Sequence, residues 1–189
     1  MNIRSLPILL LPCLAVAWAD DWPHAENTQK AGEHPPAAGE QVARMTLPDG
    51  FHVTLFAAEP DIRQPVSFTF DDRGRLWVSH FRQYPYPAGL KQISRDKYYR
   101  AKYDQEPKAP PNHYPGRSKV TIHEDTNQDG RFDRHTVFLE GLDLANAALP
   151  DHDGVWVMHT PYLLFYPDRD RDDKPDGDPE VHLAQELYQ

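Results

Sequence analysis

Oxygen-bearing side chains recur at alternate positions in one short stretch, residues 125–133. Asp125, Asn127, Asp129 and Asp133 stand at positions 1, 3, 5 and 9, the Arg131 carbonyl falls at position 7, and Gly130 supplies a sharp turn. Hard cations such as calcium take about six to eight oxygen ligands and suit this arrangement. An EF-hand would close with Glu at position 12, but Thr136 stands there, so a shorter nine-residue loop fits better. The pattern returns 43 residues later as Asp168, Asp170, Asp172 and Asp176, with Asp173 in the glycine's place. Aspartate enters the left-handed conformation less readily than glycine, so the second copy is expected to bind a cation more weakly. The other reading is that Asp and Asn close both turns by bonding their own backbone.

A second set of residues points to ligand binding. Leu76-Trp77-Val78-Ser79-His80 returns as Val155-Trp156-Val157-Met158-His159. His80 and His159 end equivalent apolar runs and are expected to point into loops at one end of the molecule. Arg82, Tyr84 and Tyr86 lead from His80 into an insertion at about 82–117 that is rich in Lys, Arg and Tyr. Such a basic, aromatic flap would grip an anionic or sugar-like ligand, or an acidic partner. The alternative is a solvated loop whose tyrosines pack on the body, with each histidine making a strand-end hydrogen bond. No base held by a second group stands beside these residues, so the catalytic residues stay unknown.

Both echoes need short strands to carry them. Alternation at 66–70 and short apolar runs elsewhere mark strands at 66–70, 76–81, 119–123 and 136–139, then again at 145–149, 155–159, 162–166 and 181–183. Each set of four makes one antiparallel sheet, and repeats in this length range indicate a β-propeller blade or another β-array. A further strand is expected at 51–56, where Phe51, Val53 and Leu55 share one face. The fold class is thus all-β: a partial propeller of two four-stranded blades over residues 46–189, plus an N-terminal closing strand. In a propeller, loops joining third and fourth strands lie opposite the usual substrate entrance, which makes the acidic loops structural. Two blades cannot close a ring, so the chain reads as the N-terminal part of a larger protein.

The remaining sequence gives an address. Residues 1–19 carry Arg4, an apolar run and Ala17-Trp18-Ala19, the features of a secretory signal peptide; an uncleaved anchor is the alternative. The single cysteine, Cys13, lies inside it, so the mature chain has no thiol, no disulfide and no haem-attachment motif. Residues 20–45 form a polar, flexible leader. The mature chain is expected to be exported, periplasmic or extracellular, with no transmembrane helix. The full sequence of 189 residues carries a net charge of −9, which argues against nucleic acid as a partner.

Leu47-Pro48-Asp49-Gly50-Phe51-His52-Val53, Phe70-Asp71-Asp72-Arg73-Gly74-Arg75-Leu76-Trp77-Val78 and Ile122-His123-Glu124-Asp125-Thr126-Asn127-Gln128-Asp129-Gly130 carry a resemblance. They resemble the opening of a bacterial family named membrane-bound dehydrogenases, whose propeller is similar to the soluble quinoprotein glucose and sorbosone dehydrogenases. The likeness covers about residues 46–185. It implies a parent of usually six blades that oxidises a sugar or alcohol with a pyrroloquinoline quinone (PQQ) cofactor, often with a cytochrome c module further on. A lone two-blade piece is then expected to be inactive. Quinoprotein sugar dehydrogenases use an Asp-His pair before the innermost strand of a blade; Asp151-His152 follows that strand here and reads as a turn. The rival expectation is a non-catalytic, calcium-stabilised propeller that binds glycans or a protein partner.

Overall fold

Alternation of apolar and small polar side chains sets the strands, and tight Asp/Gly turns join them. In the computed structural model, residues 32, 34–82, 87–97 and 101–184 are described. The expected signal peptide, half of the expected leader, Tyr84, Tyr86 and residues 98–100 lie outside them. The chain divides between Pro35 and Pro36, and every strand belongs to the second unit.

A short helix, α1 (Ala38–Ala43), falls in the stretch read as a leader. β1 (Pro65–Phe70) and β2 (Leu76–His80) form a hairpin. Its turn closes because the Asp71 carboxylate accepts from the backbone N–H of Arg73 and Arg75, while Gly74 takes the left-handed conformation (φ +76°). The insertion holds a hairpin that the sequence pattern did not announce, β3 (Gln92–Arg95) and β4 (Ala101–Tyr103). β5 (Ser118–Glu124) and β6 (Arg134–Leu142) complete the first sheet, in the order β1-β2-β5-β6. β7 (Ala145–Asp151), β8 (Gly154–His159), β9 (Tyr162–Pro167) and β10 (Glu180–Ala184) form the second, again in sequence order and antiparallel throughout. Two four-stranded antiparallel sheets are what the repeat requires.

The core is the seam between the sheets. Trp77, Val120, Ile122 and Phe138 of the first sheet meet Ala145, Ala148, Val155, Val157, Leu164 and Tyr166 of the second. Fully burying each large side chain contributes about 1.5–3 kcal/mol, so this seam is the main source of stability.

The expected strand at 51–56 is not one. Strands need a neighbour to complete their hydrogen bonds, and among the described residues this segment has no sheet partner. Residues 51–64 run as a strap over the far face of the first sheet instead. The Phe56 carbonyl accepts from Phe132 N–H, their rings lie 6.2 Å apart, and the backbone of Arg63 bonds His80. Among the described residues no helix is long and apolar enough to cross a membrane.

Candidate functional site: the acidic loops and the sheet seam

The two acidic loops connect β5 to β6 and β9 to β10, at the same end of their sheets as the β1–β2 and β7–β8 turns. Their backbones are copies. In the first, Asp125 and Asn127 accept from Asp129 N–H, Asp129 accepts from Arg131 N–H, and Asp133 accepts from Thr126 N–H. In the second, Asp168 and Asp170 accept from Asp172 N–H, Asp172 from Lys174 N–H, and Asp176 from Arg169 N–H. Left-handed residues also coincide: Gln128 and Gly130 (φ +61° and +86°) match Arg171 and Asp173 (φ +58° and +68°). Side-chain to backbone bonding thus shapes both turns.

Carboxylates converge in the second loop. One oxygen each from Asp168, Asp170 and Asp176 lies within 4.8 Å of the others. Asp168 is buried, and that burial raises its carboxyl above the usual range; Asp172 and Asp173 push the same way, against the N–H bond it accepts from Asp172. A hard cation would relieve that crowding, so the donor set fits one. In the first loop the Thr126 hydroxyl is the main reason the Asp133 carboxyl sits below its ordinary value.

Asp173 points away from this group and across the seam. Its two oxygens accept from Arg75 Nη1 and Nη2 at 2.7 and 2.8 Å. Arg75 Nε also donates to Asp71 at 2.8 Å, and Trp77 Nε1 donates to the same Asp71 oxygen at 2.9 Å. Burial alone would raise the Asp71 carboxyl; the bonds from Trp77 and Arg75 outweigh it and hold it low. Arg171 adds an outer bridge to Asp72, and its carbonyl accepts from Arg73. A cavity of about 150 Å³ beside this clamp is lined by Arg75, Trp77, Asp151, His152, Asp168 and Asp173, among others. Asp151-His152 is the β7–β8 turn, as expected, with His152 N–H bonded to the Asp151 carboxylate. Sequence reasoning missed this clamp. Asp71, Arg73 and Arg75 look like turn residues alone, and nothing local signals a partner 98 positions away.

At the opposite strand ends, His80 and His159 do not open onto a ligand face. Both are buried, at 0% and 1% exposure. His80 bonds the Arg63 backbone through Nδ1 and the Thr121 hydroxyl through Nε2, and Thr121 in turn bonds His123. His159 Nε2 accepts from the N–H groups of Asp143 and Leu144 at 3.3 Å. Desolvation holds the pKa of His80, His123 and His159 down to about 4. The insertion is fastened over this end. Asp143 accepts from Ala88 N–H, His113 bonds the Gly141 carbonyl, and Tyr162 donates to the Pro107 carbonyl. Burial raises the Asp143 carboxyl to about 6. Arg82 is half-buried, and Tyr84 and Tyr86 lie outside the described residues. Among the described candidates only Arg82 is left to meet a ligand here.

The family described as "Domain of unknown function (DUF7133)" matches residues 37–182, which spans both sheets and the insertion. No curated protein and no solved structure matches the chain.

Proposed function

The chain belongs to the DUF7133 family, and from that premise we propose that its two sheets are consecutive blades of a β-propeller. In this reading they form a calcium-braced wall of an exported sugar or alcohol dehydrogenase of the quinoprotein type. One observation carries the blade assignment. The sheets repeat one construction, with the same strand order, a tryptophan on each second strand and acidic loops left-handed at matching positions. The redox activity rests on the family resemblance of the quoted motifs, and no step through the quinone is assigned to these residues. What this chain's residues do is structural: the acidic loops hold the turns, and Arg75 joins the blades through Asp173.

A second reading, a non-catalytic propeller that binds glycans or a protein, is favoured by the two strand-end histidines. Both spend ring nitrogens on backbone partners and face no open surface. PQQ titration with dye reduction on sugars and alcohols separates the two, run on the chain and on any longer polypeptide that carries it. The dehydrogenase reading expects no turnover by the chain and substrate-dependent turnover by the longer protein. If neither binds the quinone nor reduces dye, the binding-module reading replaces it. Export is checked by the N-terminus of the secreted protein, expected to begin after Ala19.

A further inference from the structure

The free face of the second sheet is a structural copy of the face that the first sheet buries. In the first, Trp77 stands between Thr69 and Ile122, and the Phe138 ring packs edge-on to it at 5.1 Å. In the second, Trp156 stands between Leu149 and Phe165 in the same register, with His182 edge-on at 4.7 Å. The Ser79–Val120 pair is matched by Met158–Leu163. This copy is open: Leu149, Met158 and Leu183 are 57%, 42% and 57% exposed. It is also more apolar than the original, since Leu149 and Met158 replace Thr69 and Ser79. A solvent-facing sheet face carries the reverse.

The complementary surface lies at the other side of the stack. The second sheet docks through a face on which Ala148 pairs with Val157 and Pro150 with Val155. Its register copy in the first sheet pairs Phe68 with Val78 and Phe70 with Leu76. Val78 is buried there, but Phe68 and Phe70 are exposed at 70% and 61%. Among the described residues, the β1 part of one half of the seam and the whole of the other half therefore recur exposed on opposite sides, where they cannot meet within one molecule. Surfaces so placed associate head to tail.

We propose that a second copy of this chain docks on the free face of the second sheet. β1 of one copy lies along β7 and β8 of the next, with Phe68 and Phe70 against Leu149, Trp156 and Met158. The contact rests on the repeat of the two sheets and not on the propeller reading.

Size-exclusion chromatography with light scattering on the purified chain, over a concentration series, tests it. The chain is expected to associate as concentration rises. Phe68→Glu and Leu149→Glu each change a side chain exposed in the monomer, and each is expected to weaken self-association at least about tenfold. Mixing the two variants restores a one-to-one complex, because each keeps the half that the other has lost; that rescue also shows that both are folded. Phe70→Glu with Met158→Glu repeats the design at different residues. A wild-type chain that stays monomeric, or variant pairs that fail to rescue each other, overturns the proposal. A monomer that still gains stability with calcium would do so while leaving the blade reading standing.

Discussion

The two acidic loops share a backbone and differ in what the central left-handed residue does. In the first loop Gly130 lets the strap approach: a Cβ there would lie 2.8 Å from Thr54 Cγ2. The Arg131 guanidinium and the Phe132 N–H reach the strap's carbonyls at Leu55 and Phe56. In the second loop Asp173 occupies the same position at some cost in backbone strain, and its carboxylate joins Arg75 of the neighbouring sheet. One turn fastens a segment of irregular chain; the other fastens a sheet. An aspartate that looks like a flaw in a cation loop is thus the loop's link to the rest of the fold.

The sharpest way to break this contrast is Arg75→Ala. It leaves Asp71 and Asp173 without their shared cation at 4% and 10% side-chain exposure. Removing one partner of a buried pair costs about 3–5 kcal/mol. Urea unfolding should show that loss, whereas Arg131→Ala, which touches the strap from an exposed position, should cost far less.

The pH dependence of stability sharpens the comparison of the two sheets through their equivalent histidines. Burial holds the pKa of His80, His123 and His159 at about 4 in the folded chain. Their stabilising effect is therefore present above the unfolded value of about 6.5 and lost as pH falls toward 4. Asp143, raised to about 6, acts oppositely: its effect is present below about 3.8 and lost as pH rises through 6. Near pH 5 unfolding should take up a net of about two protons, a slope of about 2–3 kcal/mol per pH unit. Asp143→Asn should steepen it, and His80→Asn or His159→Asn should each flatten it by about one proton. Denaturation curves between pH 4 and 7 that share one midpoint would rule this out.

Calcium distinguishes the loops directly. One oxygen each of Asp168, Asp170 and Asp176 lies within 4.8 Å of the others, so the second loop can be tested against the weaker binding expected from its missing glycine. A hundredfold excess over the dissociation constant should add about 2.7 kcal/mol. Asp125→Ala with Asp129→Ala should remove the first loop's share of the gain, and Asp168→Asn with Asp170→Asn the second loop's. Melting curves unchanged by calcium in every variant would end the metal reading for both loops.

The smallest effect tests the glycine itself. Gly130→Asp imposes the second loop's residue on the first, where its Cβ meets Thr54. A loss of about 1–2 kcal/mol is expected, part of it recovered by Thr54→Ser, which removes the methyl that the new Cβ would strike. No recovery in this double-mutant cycle would mean that the strap does not press on Gly130.

Much of the fold was legible because it is local. Alternation along 66–70, the apolar run at 155–159, Asp-Gly turns, and two copies of one acidic loop are set by neighbours in sequence, whose side chains select strand or turn before any packing occurs. The β3–β4 hairpin was not legible, since its polar, basic strands have no apolar face to alternate. Tertiary structure decided the rest. Residues 51–56 alternate like a strand but find no edge to pair with, so they became a strap. His80 and His159 end their strands as expected, yet docking of the strap and the insertion turned those ends into interior. Arg75 and Asp173 are charges in two separate turns until the sheets stack. The energy of a buried ion pair depends on a distance and a dielectric that only packing creates.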